Sequence, residues 1–323
     1  MSDMSQKRVI ACIISMVSLF TLLVTVQCTQ ISYSQVEDIF KTNKSNSSNY
    51  SISSNVIGSN SFTNSTLQPH IEQELHSVIA KLKTEISPIM QIAQRSMNGT
   101  NSFGNLPLVN MTTESMQQNN GIPQDQDSEK RNEAKRLLTN NPALLYIGLL
   151  LPNGDRYFGE PFIPYQANGS VSNFAYRDHF TGALESNRSY LSNTLIAVST
   201  GEPLSILANP IYSHETETRT LVGVLVMGIN HKYLDELIDS SVLLTKNDTR
   251  IVLVDNNGTK IGDSSSDENS MESFGSLQGF RNAKNGESGA IVEKVAGRES
   301  MMVYSPLDFA QTKWIVLSIS PIK

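Results

Sequence analysis

The chain has 323 residues, 39% of them hydrophobic and 17% charged, with a net charge of −6. Globular chains average about 45–50% apolar and about 25% charged residues, so both classes are short here, and Ser, Thr and Asn fill the difference. That balance excludes a polytopic membrane protein and a charge-driven disordered chain, and it offers no broad basic field for nucleic acid.

The N-terminus comes first. Lys7 and Arg8 precede an uncharged run of 18 residues, Val9 to Val26. A run of that length is at the short end for spanning a bilayer. Residues 1–30 fit a cleaved secretory signal or an uncleaved signal-anchor that holds Thr29 onward outside the membrane. A lipid-modified Cys28 is a third reading. The two cysteines, Cys12 and Cys28, both belong to this segment. A disulfide framework and a thiolate zinc site are therefore excluded beyond it. Ten Asn-x-Ser/Thr triplets, from Asn43 to Asn257, fit a glycosylated outer surface. Within residues 31–69, the stretch 41–66 has Ser, Thr or Asn at 18 of its 26 positions. Such a stretch buries too little to offset its ordering entropy, which predicts a linker.

Residues 70–140 read as a helical region with a loop. Ile71, Leu75, Val78, Leu82, Ile86, Ile89 and Ala93 recur every three or four residues, one apolar stripe at helical period. The stripe fits a plain packing helix or a stalk helix, and Pro88 inside it predicts a kink or break near Glu85 to Ser87. Residues 98–127 lose periodicity and carry Gly and Pro, which predicts a loop. Ser128 to Thr139 reads as a short charged helix.

Strand patterns then begin. Ala143–Leu151 runs into Asn153-Gly154 and returns through Arg156-Tyr157-Phe158, and Arg250–Val254 runs into Asn257-Gly258 and returns through Thr259-Lys260-Ile261. Both are hairpins on Asn-Gly turns. The likeness continues: Leu195–Val198, Leu204–Ile211 and Leu221–Ile229 in the first copy answer Ala290–Lys294, Ser300–Leu307 and Trp314–Ile319 in the second. The chain thus holds two copies of one unit, 141–245 and 246–323. Each is expected to be a five-stranded antiparallel sheet with flanking helices, an α+β fold. Tyr233–Leu244 is expected to connect them.

The segment Tyr176-Arg177-Asp178-His179-Phe180, then Ser199-Thr200-Gly201-Glu202-Pro203 with Asn209-Pro210-Ile211, then Gly223-Val224-Leu225 before Gly228-Ile229-Asn230, and a closing Trp314 strand stand in a telling order. With the long helix and the two PAS-like sheets, this resembles a double Cache extracytoplasmic sensor domain over roughly Ile71 to Pro321. The resemblance implies a small-molecule ligand in the first, membrane-distal unit. It implies that Arg177 clamps a ligand carboxylate, a match of planar fork to carboxylate that the chemistry supports. His179 and Phe180 take the place of the family's aromatic pair. Asn193 and Asn230 fall where ligand-amine carboxylates are usual, and Tyr176 and Tyr190 complete the candidate lining. Two Asn for two Asp argue against a standard α-amino acid, and favour a small carboxylate or other polar metabolite. His179 adds a group able to change charge near neutral pH. No cofactor or metal is implied.

The family usually returns through a second membrane helix to an output module, whereas this sequence ends at Lys323, shortly after the last expected strand. A membrane signalling protein in trans and a homodimer are the partners this arrangement allows. Two other classes remain open. A surface adhesion or solute-binding glycoprotein fits the linker and triplets. An enzyme is favoured by no motif: HExxH, Gly-x-Ser-x-Gly, a phosphate-cradling loop and GxGxxG are all missing.

Overall fold

The computed structural model describes residues 61–163, 172–197, 201–213, 220–241, 249–265 and 271–322. The apolar run at 9–26 and the linker up to residue 60 lie outside the described residues. Among those described, no helix is long and apolar enough to cross a membrane.

Helix α1, Ser61–Met97, is 37 residues long. It starts within the stretch expected as linker, because a helix already fixed by packing from Ile71 gains one hydrogen bond per residue added. It also runs through Pro88 without a break. A proline inside a helix costs about 3 kcal/mol, and burial of the stripe offsets it. Ile71, Leu75, Val78, Leu82, Ile86, Ile89 and Ala93 are all buried.

The expected loop at 98–127 holds a single 3₁₀ turn, Ser102–Gly104, and a second helix, α2, Thr113–Asn119. Helix α2 is too polar to show an apolar period. It is held instead by a capping box, in which the Thr112 hydroxyl accepts from the Ser115 N–H and the Ser115 hydroxyl from the Thr112 N–H. Helix α3, Ser128–Asn140, follows, capped by Asp127.

The first sheet contains β1 (Leu144–Leu150), β2 (Arg156–Glu160), β3 (Tyr190–Leu191), β4 (Leu195–Ile196), β5 (Pro203–Tyr212) and β6 (Leu221–Ile229). Its order is β2-β1-β6-β5-β3, with β4 also on β5. Helix α4, Asp178–Ser186, packs on one face, and α5, His231–Asp239, leads out. The second sheet contains β7 (Arg250–Val254), β8 (Lys260–Asp263), β9 (Gly289–Val295), β10 (Arg298–Phe309) and β11 (Thr312–Pro321), with helix α6, Gln278–Lys284. Its order, β8-β7-β11-β10-β9, repeats the first.

The duplication holds bond by bond. The Phe174 N–H donates to the Gly154 carbonyl and the Phe274 N–H to the Gly258 carbonyl, while the Arg156 N–H donates to Ser172 and the Lys260 N–H to Glu272. Gly154 and Gly258 have φ of +86° and +83°, a backbone state that glycine reaches without strain. Pro210 and Pro306 lie past the ends of β3 and β9, so their missing N–H faces no partner strand. The first sheet keeps the five expected positions and counts six strands. Its third strand divides into β3 and β4, because the Thr194 N–H turns from β5 to the Asp255 carboxylate of the second unit, 2.8 Å away.

One cluster of buried side chains joins the α1 stripe to the inner faces of both sheets, including Ile147, Leu207 and Leu225 of the first and Leu253, Trp314 and Val316 of the second. The outer faces have separate cores beneath α4 and α6.

Two ionisable features test this packing. Arg131 on α3 is buried against Glu160 at 2.7 Å, and its other N–H groups donate to the carbonyls of Ile122, Pro123 and Gln126. Removing one member of a buried pair costs about 3–5 kcal/mol. Glu160→Gln should therefore lower the urea-unfolding free energy by about 3 kcal/mol; a loss under about 1 kcal/mol would mean the pair is not closed in solution.

His231, at the start of α5, is buried with its Nε2 3.0 Å from the Ser205 hydroxyl. Burial pushes its pKa from 6.5 down to about 3. Between those values the unfolded chain binds a proton that the folded chain does not, so stability falls as pH drops through that window. Asp235, raised to about 6 by burial, acts in the opposite sense, so the test is a comparison of two proteins. Urea midpoints at pH 7 and pH 4.5 should fall more in wild type than in His231→Gln. Parallel profiles would show that His231 is not held neutral.

Candidate functional site

A cavity of about 240 Å³ lies on the outer face of the first sheet, beside the α4 N-terminus. Its floor is Tyr146 and Leu150 from β1, Leu204 and Ile206 from β5, and Val226 from β6. Leu195, Ile196 and Ala197 form one wall, and Ser172, Phe174, Arg177 and His179 another. The volume is just under the usual range of about 300–1,000 Å³ for ligand pockets, which suits a small metabolite rather than a polymer.

Two β-bulges place the polar floor. In β1, Leu144 faces Ile229 and Tyr146 faces Gly228, so Leu145 is an extra residue. The bulge turns Tyr146 to the outer face while Leu144 and Ile147 stay in the inner core. In β2, Arg156 faces Leu150 and Phe158 faces Leu149, with Tyr157 as the extra residue. That sends Arg156 outward and leaves Tyr157 and Phe158 inside. The Tyr146 ring lies flat across Gly148 and Gly159, which face each other in the ladder. A Cβ at either glycine would collide with the ring.

Arg156 is 5% exposed. Its guanidinium sits 5.6 Å from the Tyr146 ring centroid, a cation–π distance. Its Nε is buried with no hydrogen-bond partner. The nearby Glu160 is committed to Arg131. Burial raises the Tyr146 hydroxyl pKa; the Arg156 charge opposes this, and the Glu160 charge adds to it. Tyr146 therefore stays neutral.

Of the residues singled out from the sequence, Arg177 and His179 line the cavity. Arg177 is the residue before α4, where its side chain makes no cap bond, and its guanidinium lies 5.1 Å above the Tyr176 ring. Tyr176 is 72% exposed and lies outside the lining. His179 is buried, with Nδ1 3.7 Å from Asp178, too far for a hydrogen bond. Phe180 is part of the core that joins α4 to the sheet, and Tyr190 packs over Gly182. Asn193 lies beside β3, its carbonyl accepting from the Ser192 hydroxyl at 2.8 Å. The Asn230 side chain accepts from the Tyr233 N–H and so caps α5. Phe180, Tyr190, Asn193 and Asn230 are not among the lining residues. Arg156 and Tyr146 were not singled out by the sequence. Their outward direction depends on two bulges that an unbroken apolar run does not announce.

The cavity wall thus carries Arg156, Arg177 and His179 and, among the described residues, no Asp or Glu. The rest is mostly aliphatic. Such a site can hold an anionic group and bury an apolar remainder, and it offers no counter-charge for an ammonium.

Solved structures of the same fold support the architecture. The extracellular domain of the putative histidine kinase rpHK1S-Z16 superposes with a TM-score of 0.57 at 11% identity, covering 80% of this chain and 95% of that one. The ligand-binding domain of the Pseudomonas aeruginosa PAO1 amino acid chemoreceptor PctB, solved with L-Arg, gives 0.54 at 12% identity, covering 80% and 96%. An extracellular ligand-binding receptor from Desulfohalobium retbaense gives 0.55 at 12% identity; this chain is covered over 78% of its length and spans 40% of that receptor. No curated protein matches in sequence. The sequence profile of the Cache domain matches residues 63–323, and the chain belongs to that family, in its two-unit form.

Proposed function

We propose that the chain is an extracytoplasmic sensor whose first unit binds a small carboxylate-bearing metabolite at Arg177. The observation that carries this reading is a cavity with three basic side chains and no acidic one among its described lining residues. Arg177 stands at the mouth, half-buried, and no described carboxylate pairs with it. Its planar fork suits a carboxylate. PctB was solved with an amino acid bound. Here the absence of an acid among the described lining residues argues for a ligand without an ammonium group.

The apolar run at 9–26 and the ten glycosylation triplets support an outer location tethered by the N-terminus. In this reading the signal passes to a membrane protein in trans. The Ser/Asn-rich stretch at 41–66 also suits a solute-binding or adhesion glycoprotein with no signalling role. Crosslinking in the native membrane separates the two, since only the sensor requires a reproducible transmembrane partner.

The binding step is tested by thermal shift on the full chain with a panel of small carboxylates, amino acids and neutral metabolites. A ligand at 100 times its Kd adds about 2.7 kcal/mol of stability. Arg177→Ala should abolish that shift. Asn230→Ala should keep it while lowering baseline stability by about 1 kcal/mol through loss of a helix cap. A panel without any stabilising compound would refute the reading, and a shift of equal size in Arg177→Ala would remove Arg177 from the site.

A further inference from the structure

The two units share their hydrogen-bond pattern, so position-by-position comparison shows what each outer face does with charge. The paired strands β1–β2 and β7–β8 align with Leu150 on Val254, Gly159 on Asp263 and Arg156 on Lys260. Tyr146 then aligns with Arg250. The equivalent donors to glycine align Phe174 with Phe274, and the next turn aligns Arg177 with Leu277 and His179 with Gly279.

In the second unit every cation at these positions meets an acid of its own unit. The Arg250 guanidinium bonds Asp263 and Glu272, each at 2.5 Å. Lys260 Nζ lies 3.3 Å from Asp263. Asp263 stands where the first unit has Gly159, and Glu272 where it has Ser172. The second outer face is thus internally neutralised, and its Arg177 and His179 positions are uncharged.

The first unit keeps Arg156 at the Lys260 position, has Tyr146 at the Arg250 position, and has Gly159 and Ser172 where the second has Asp263 and Glu272. Arg156 is buried with an unpaired Nε, and no described residue forms an ion pair with it. An arginine does not escape by losing its proton. A buried charge without a partner is costly, and a bound anion would remove that cost. Arg177 is a second guanidinium on the same cavity, nearer its mouth. The same lining includes Leu150, Leu204, Ile206 and Val226.

We infer that the ligand is a small dianion, two acidic groups on a short aliphatic spacer. One group meets Arg156 and Tyr146 at the floor, and the other meets Arg177 at the mouth. The inference rests on the cavity being a ligand site and goes further, in assigning Arg156 as a second anchor.

The test compares matched acids on the full chain by calorimetric titration. The probes are succinate, glutarate and adipate against butyrate, valerate and hexanoate, with putrescine as the oppositely charged control. At least one dicarboxylate should bind tenfold or more tightly than the monocarboxylate of equal length. Arg156→Met should erase that preference. It should also leave the unliganded melting temperature equal or higher, because a buried unpaired charge has been removed. Arg156→Lys, which keeps the charge and loses the fork, should retain a reduced preference, and it serves if the Met variant does not fold. Equal affinity for matched acids overturns the dianion, and so does a preference unchanged in both Arg156 variants. In those cases Arg177-dependent monocarboxylate binding would leave the simpler sensor reading standing. No binding of any carboxylate would overturn both.

Discussion

One helix face holds this domain together. The α1 stripe lies against the inner faces of both sheets, with α3 and α5 adding Leu137, Leu234 and Ile238 at its edges, and the buried residues on that side form one continuous cluster. Burial of a large aliphatic side chain contributes about 1.5–3 kcal/mol, and the stripe has seven such positions or smaller ones from Ile71 to Ala93. That sum explains how the helix carries two prolines. The stripe also gives the duplicated units one shared core. Each sheet would expose an apolar face without α1.

With the inner faces committed to structure, variation moves to the outer faces. Both units lay a short helix over the same strand order. In the second, Phe274 and Phe280 with Met302 and Tyr304 fill the space, and charges sit in pairs. In the first, glycines at 148 and 159 let Tyr146 lie flat against the sheet, and the volume above it becomes the cavity. The same duplication thus yields a closed layer and a layer with a cavity, through side-chain size and the placement of acids rather than topology.

Much of the scaffold was legible because it follows from local rules. Asn-Gly turns announce hairpins, a three-to-four spacing announces α1, and the repeat of both announces two units. The site was only half legible. Arg177 and His179 follow a motif, but Arg156 reads like any polar residue after a turn. Its face is set by a bulge at Tyr157, which depends on partner strands far along the chain. Asn230 shows the reverse case. An Asn just before a helix has a local role as a cap, and that role is the one its side chain plays. The split of β3 from β4 was not legible at all, since it follows from a bond to Asp255, 61 residues away.

That bond also ties the cavity to the second unit. Leu195 to Ala197, one wall of the cavity, begins directly after Thr194, whose N–H donates to Asp255. Asp255 is almost fully buried and accepts also from the N–H groups of Asn257 and Thr259, so it fixes the second unit's hairpin turn. A second tie lies nearby, where the Leu191 N–H donates to the Gln311 side chain in the β10–β11 turn. Two polar contacts thus tie this wall to the hairpin and the β10–β11 turn of the second unit. Both contacts lie outside the α1 stripe, so the two units are joined by polar ties at the cavity wall as well as by the shared apolar core.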